Sequence, residues 1–250
     1  MRMSGLEPAE AIARAAAAGV TRIVQIGCDP DDSRWAVEAA ERWPGVVAGV
    51  AIHPNDAARM GPDLIAGLEV IEALAQHPRV RAVGETGLDY FRTTDAQGQG
   101  VQMEAFAAHI AFAKTYDKTL VIHDRDAHID VLDVLDAEGL PERIVMHCFS
   151  GDAGFAKACL RRGAYLSFAG TITFKANFEL REALGVTPLD RILVETDAPY
   201  LTPMPLRGRP NASYLIPHTA RFMADTLGLD LVRLCRALNV NAEAAFGGSW

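Results

Sequence analysis

Five short apolar runs each deliver a metal-competent side chain at their C-terminal end, and this repeated arrangement constrains the fold most. Residues 46–53 end in His53, 80–85 in Glu85, 119–123 in His123, 143–147 in His147 and 191–197 in Glu195 and Asp197. The runs are rich in Val, Ile and Leu, the composition of strands buried on both faces of a parallel sheet. A parallel barrel gathers the C-terminal ends of its strands around one mouth, where its chemistry sits.

Helical stretches separate these runs. Residues 9–18 are alanine-rich and stop at Gly19, and Asp31 and Asp32 open a helix that Pro44 and Gly45 close. Further helices are expected over 62–77, 99–116 and 153–162, with Asp126 or Asp130 opening another before Gly139. Two helices finish the chain near Phe246. Strands are expected to start at Thr21, Val46, Val80, Thr119, Arg143, Ala164 and Arg191. Strand–helix alternation with short connections predicts an α/β TIM-type (β/α)8 barrel of the metal-dependent hydrolase kind, with residues 1–250 as one domain. A closed barrel wants about eight strands, so the first is missing or not recognisable, and its natural place is ahead of Pro8. The runner-up is a doubly wound open sheet, against which no G-x-G-x-x-G turn follows the first strand.

Bulk properties bound the function. A net charge of −8 sets the whole surface against nucleic acid, so a phosphate-bearing substrate must be drawn by a local feature. Cys28, Cys148, Cys159 and Cys235 form no C-x-x-C and read as free thiols of a reducing compartment. The most apolar early stretch, 11–27, is interrupted by Arg14 and Arg22, which excludes a membrane span there. A cytoplasmic location is expected, with no membrane partner and a monomer favoured.

Glu85, His123, His147 and Asp197 form a mixed nitrogen and oxygen set suited to one or two divalent ions, Zn, Mn or Mg. Such an ion makes hydroxide available near neutral pH, and Asp197 is the candidate base for the water's proton, with Glu85 beside it in the catalytic set. Each residue also has a plainer use, as a hydrogen-bonded core histidine, a helix cap or an ion-pair partner. Arg125 shares a strand face with His123, while Lys175, Arg207, Arg209 and Asn211 lie in loops expected to overhang the mouth and hold phosphate oxygens. His53, followed by Pro54, reads as a turn-locking or substrate-contacting residue, and His109 as packing on a long helix. Tyr90, Phe91 and Tyr200 can stack on a base or pack.

At these residues the sequence resembles the TatD family of metal-dependent deoxyribonucleases, within the amidohydrolase-like barrels. The matching segments are Val83-Gly84-Glu85-Thr86-Gly87-Leu88-Asp89-Tyr90, Ile122-His123-Asp124-Arg125-Asp126-Ala127 and His147-Cys148-Phe149-Ser150-Gly151. Gly170-Thr171-Ile172-Thr173-Phe174-Lys175, Glu195-Thr196-Asp197-Ala198-Pro199-Tyr200-Leu201 and Pro203-Met204-Pro205-Leu206-Arg207-Gly208 follow in order. The resemblance implies hydrolysis of DNA, single-stranded or at 3′ ends, with one or two divalent cations. It implies that Glu85 bridges two metals, that His123 and His147 complete one and that Asp197 binds the other.

Such proteins open with a strand ending in H-x-H, and this sequence contains no H-x-H. The expectation is that the sequence starts late and that an upstream segment supplies the missing strand. Were Met1 the true start, one tightly held metal, an open barrel edge beside the first helix and weak or absent nuclease activity are expected. Two other functions fit the same residues: a barrel hydrolase of another ester or amide, such as an aminoacyl ester or lactone, and a catalytically silent binding homologue.

Overall fold

The computed structural model describes residues 6–248. Its elements begin with α1 (Pro8–Ala17), β1 (Ile23–Ile26), α2 (Pro30–Arg42), β2 (Val46–Val50), α3 (Pro54–Met60), α4 (Leu64–Ala75), β3 (Val80–Asp89) and α5 (Ala96–Thr115). They continue with β4 (Thr119–Arg125), α6 (His128–Glu138), β5 (Ile144–Met146), α7 (Ala153–Arg161), β6 (Tyr165–Phe168), α8 (Phe178–Val186), β7 (Ile192–Val194), α9 (Ile216–Leu227) and α10 (Leu231–Phe246). The chain divides into two compact units. One comprises Val24–His147, Arg162–Ala164 and the C-terminal residues from Ala245, and the other comprises residues up to Ile23, Cys148–Arg161 and Tyr165–Ala244.

Within the first unit the strands are neighbours in chain order, and β2–β3, β3–β4 and β4–β5 pair in parallel. Within the second, β6 pairs with β7 in parallel. Every residue of β2, β5 and β6 is buried, as is all of β3 except Arg81, so both faces of these strands are covered. Helix starts follow local chemistry. Asp29 caps α2 by accepting from the Asp32 amide, Asp95 caps α5 through Gly98, and proline occupies the first turn of α1, α2, α3 and α9.

The seven expected strands are all present, each beginning within two residues of its expected start. The place expected for an eighth, ahead of Pro8, falls largely on residues 1–5, which lie outside the described residues. Three local expectations are corrected. The helix expected over 62–77 is α4, and a separate α3 and a 3-10 turn (Gly61–Asp63) precede it, because Pro54 and Pro62 each start a new turn. Neither Asp126 nor Asp130 caps α6. Asp126 takes a left-handed φ of 57°, the Asp130 carboxylate accepts the Tyr90 hydroxyl at 2.6 Å, and Asp124 accepts from the Ala127 amide. Finally, β3 runs past Glu85 to Asp89, because its ladder with β4 continues to Asp89 opposite Arg125.

That extension depends on Gly87, which pairs with His123 at a φ of 130°. A Cβ there would meet the His123 carbonyl oxygen at 2.1 Å, so no larger residue fits without moving β4. The other tie is His109 on α5, fully buried. Its Nε2 accepts the Ile52 amide at 3.2 Å and its Nδ1 lies 3.0 Å from Thr86 Oγ1, so it is hydrogen-bonded at both nitrogens rather than simply packed. Among the described residues no helix is long and apolar enough to cross a membrane.

Replacing Gly87 by Ala combines a disfavoured φ with a backbone clash, and thermal or urea unfolding should show a loss of about 3 kcal/mol. For His109, burial is the main effect and pushes its pKa down to about 4, a hydrogen bond to the Ala105 carbonyl opposing it. The unfolded chain takes up this proton near pH 6.5 and the folded chain does not. Stability from this group is therefore full above about pH 6.5 and declines as pH falls toward 4, by about 1.4 kcal/mol per pH unit. His109→Gln, which cannot titrate, should flatten that slope relative to the parent in urea unfolding between pH 6.5 and 4.

Candidate metal centre

The ends of β2, β3, β4 and β5 bring four ligand-type side chains together in the first unit. His53 directly precedes α3 and is anchored by its amide to the Cys28 carbonyl at 2.8 Å. Glu85 lies within β3 and His123 within β4, and the His147 amide binds the Ile122 carbonyl at 2.9 Å just beyond β5. Backbone ladders thus fix all four Cα positions before any side chain chooses a rotamer.

One oxygen organises the side chains. Glu85 Oε1 lies 2.7 Å from His123 Nδ1, 3.4 Å from His53 Nε2 and 3.4 Å from His147 Nε2. The donor atoms of His53, Glu85 and His123 all fall within 4.8 Å of one another. Burial of Glu85 works to raise its pKa, but His147, His123 and His53 outweigh that and hold the carboxyl well below the usual carboxylate range. Burial likewise works to lower His123, and Asp89 and Glu85 overcome it to raise its pKa to about 9. In the metal-free protein, protonated histidine therefore supplies the positive charge that this buried carboxylate requires.

The two ring nitrogens of each histidine are not equivalent. Asn55 donates its amide to His53 Nδ1 at 3.1 Å, which consumes that lone pair and leaves the proton on Nε2, facing Glu85. His53 thus presents an N–H to the cluster. His123 differs: Nδ1 faces Glu85, while Nε2 is buried, has no hydrogen-bond partner among the described residues and lies 3.4 Å from Asp89 Oδ2. Asp89 is itself buried, accepts from Asn55 Nδ2 at 2.8 Å and the Arg92 amide at 2.9 Å, and has its pKa held low by these contacts and His123 against the effect of burial. The set fits a divalent cation: imidazole and carboxylate donors converge, and a carboxylate backs one histidine, as in metal sites where an outer acid orients a ligating ring.

The remaining expected residues divide between the units. Arg125 lies in the first, its guanidinium 3.8 Å above the Phe91 ring. Asp197, Lys175 and Arg207 belong to the second. Arg207 is exposed and stacks over Phe174 at 4.4 Å, and Lys175 is exposed on the loop before α8. Asp197 takes a left-handed φ of 54°, and its carbonyl accepts the Tyr200 amide at 2.8 Å. Glu195, two residues earlier, accepts the Cys148 amide at 2.9 Å. Asn211 is corrected: it is buried, and its amide donates to the carbonyls of Thr196 and Tyr200, so it shapes the Asp197 loop instead of meeting phosphate. Tyr90 is committed to Asp130, whereas Phe91 and Tyr200 are exposed.

Sequence reasoning missed Asp89, which lies past the run expected to end at Glu85, and the polar bonding of His109. The signal for Asp89 was its period-two spacing from Glu85 and Gly87 along an extended segment.

Known proteins agree with this architecture. The sequence model of the family described as TatD related DNase matches residues 3–247. The chain is 45% identical over 242 residues to an uncharacterized metal-dependent hydrolase, TatD, of Mycobacterium tuberculosis, covering 96% of this chain and 90% of that protein. It is 36% identical over 245 residues to a 3′-5′ ssDNA/RNA exonuclease TatD of Citrobacter rodentium, covering 95% and 91%. Among solved structures it is similar to YJJV, a TatD homolog from Escherichia coli, with a TM-score of 0.89, 26% identity and coverage of 96% and 92%. The fold is thus the α/β architecture of TatD and amidohydrolase-like barrels, and the chain belongs to the TatD family of metal-dependent hydrolases.

Proposed function

We propose that this hydrolase is a deoxyribonuclease that removes nucleotides from the 3′ end of single-stranded DNA, acting as a single-domain enzyme over residues 1–250 in the cytoplasm. The observation that carries this reading is the single Glu85 oxygen shared by three histidines, in a chain whose relatives in Citrobacter rodentium and Salmonella typhimurium are named 3′-5′ ssDNA/RNA exonucleases. The family match running through both compact units supports the single-domain reading, and four free cysteines support a reducing compartment.

Glu85, His123, His147 and Asp197 would hold one or two divalent ions, Mg, Mn or Zn. A divalent ion held there supplies Lewis acidity, making water a nucleophile at neutral pH and withdrawing charge from a phosphoryl oxygen. The chain does the rest. His123 would serve as a ligand with its facing ring nitrogen unprotonated, and Asp89, 3.4 Å from Nε2, would keep its ring oriented. Asp197 takes the proton of the attacking water. His53, fixed as the Nε2–H form, donates a hydrogen bond to a phosphate oxygen rather than a lone pair to a cation. Arg125, Arg207 and Lys175 provide the local positive charge that a −8 chain needs to accept a phosphodiester, and the exposed Phe91 and Tyr200 rings offer faces for bases.

Two measurements test this. With a 3′-labelled single-stranded oligonucleotide, chelation should abolish cleavage and Mg or Mn should restore it. Glu85→Gln should lower kcat/KM by about 1,000-fold and remove metal from the purified protein, and an active, metal-loaded Glu85→Gln enzyme would overturn the assignment. His53→Ala should leave metal content unchanged while lowering kcat by about 100-fold, the effect of losing a transition-state donor. Loss of metal with His53→Ala would make it a ligand instead.

A further inference from the structure

The geometry points to His109 as a positioning residue for this centre, through the backbone of the segments that carry His53 and Glu85. The inference rests on the metal-centre reading above and adds a residue that lies outside the ligand set, on α5. His109 accepts the amide of Ile52, the residue before His53, and meets the hydroxyl of Thr86, the residue after Glu85. One imidazole ring thus spans the ends of β2 and β3. Both partners are sealed from water: Ile52 is 0% exposed and Thr86 1%, so neither has solvent to fall back on.

The two bonds are also mutually dependent. Because the Ile52 N–H uses the Nε2 lone pair, the ring proton must sit on Nδ1, which lies 3.0 Å from Thr86 Oγ1 and also serves the hydrogen bond to the Ala105 carbonyl. The Phe112 ring packs edge-on to the imidazole, with centroids 6.0 Å apart and planes at 83°, which limits rotation about its bonds. The other tautomer would set N–H against N–H at Ile52, and a ring turned over would put carbons where both nitrogens stand and break both contacts. His109 therefore fixes the distance between the two segments and with it the 3.4 Å separation of His53 Nε2 from Glu85 Oε1. An apolar residue of equal size would fill the space and leave the segment that carries the ligand Glu85 free to drift, and ligating constellations tolerate only about 0.5 Å of such drift.

The test compares parent, His109→Phe, His109→Gln and Thr86→Val in the full chain. Zn2+ alone is titrated into metal-free protein by calorimetry, and nitrogen-15 NMR of the metal-free parent reports the His109 tautomer. The parent should show Nδ1–H and a bare Nε2. His109→Phe should weaken Zn2+ binding about 10-fold, the usual effect of losing outer support, and Thr86→Val by less. His109→Gln, whose amide can accept from Ile52 and donate to Thr86, should recover the parent affinity to within about 3-fold. Should His109→Phe fail to fold, Thr86→Val and His109→Gln still decide the matter. An Nε2-protonated ring, parent-like affinity in both His109→Phe and Thr86→Val, or equal losses in His109→Phe and His109→Gln would overturn the positioning role and leave the metal centre standing. A parent that binds no divalent ion, while His109 shows the expected tautomer, would overturn the metal-centre reading itself.

Discussion

A buried carboxylate surrounded by histidines is the interaction on which the rest of the structure depends. Removing Glu85 from water costs several kcal/mol unless positive charge stands beside it. His123, 2.7 Å away with its pKa raised to about 9, provides that charge, and the His53 and His147 rings stand at 3.4 Å from the same oxygen. Those rings come from three other strand ends, so the local charge balance is met only when β2, β3, β4 and β5 are in register. The same field that holds a proton on His123 makes the cluster receptive to a divalent cation, which supplies the charge in more concentrated form. Folding and chemistry thus place the same demand on the sheet, and Gly87 is where it is met: β4 can run against β3 only because no Cβ stands between Gly87 and His123.

Hydrogen-bond direction separates roles that residue type leaves open. His53 and His123 are both histidines at strand ends, both partly exposed and both near Glu85. The Asn55 amide decides the first, since an accepted N–H on Nδ1 leaves a donor at Nε2. Asp89 decides the second, since a carboxylate behind Nε2 leaves Nδ1 to face the site. Asn55 serves both, its backbone amide on His53 and its side chain on Asp89, so the first turn of α3 couples the orientation of the two rings.

The fold and much of the site were legible in the sequence for a physical reason. Buried parallel strands need unbroken apolar runs, and a polar residue closing such a run must have a use, which marked Glu85, His123 and His147 at once. What could not be read was whatever depends on partners distant in sequence. Asp89 lay past the run expected to end at Glu85, while the ladder to β4 keeps the segment extended as far as Asp89. His109 looked like helix packing because its partners lie on β2 and β3. Asn211 looked like a loop residue available to substrate, yet a proline-rich loop cannot satisfy its own carbonyls, and a buried amide was needed to bind Thr196 and Tyr200.

The charge of the whole chain bears on the proposal of an end-directed enzyme. At −8 the molecule repels a polyanion laid across it, so under that proposal the attraction has to come from local features. Arg125 and Arg207 are both stacked on aromatic rings, at 3.8 and 4.4 Å. Stacking holds the guanidinium plane while leaving its N–H edge open, so each arginine would lose less entropy on binding an anion. A strand end presents few phosphates and an unstacked terminal base. A long duplex presents a continuous rod of charge, which a chain of net charge −8 repels more strongly than it repels a strand end.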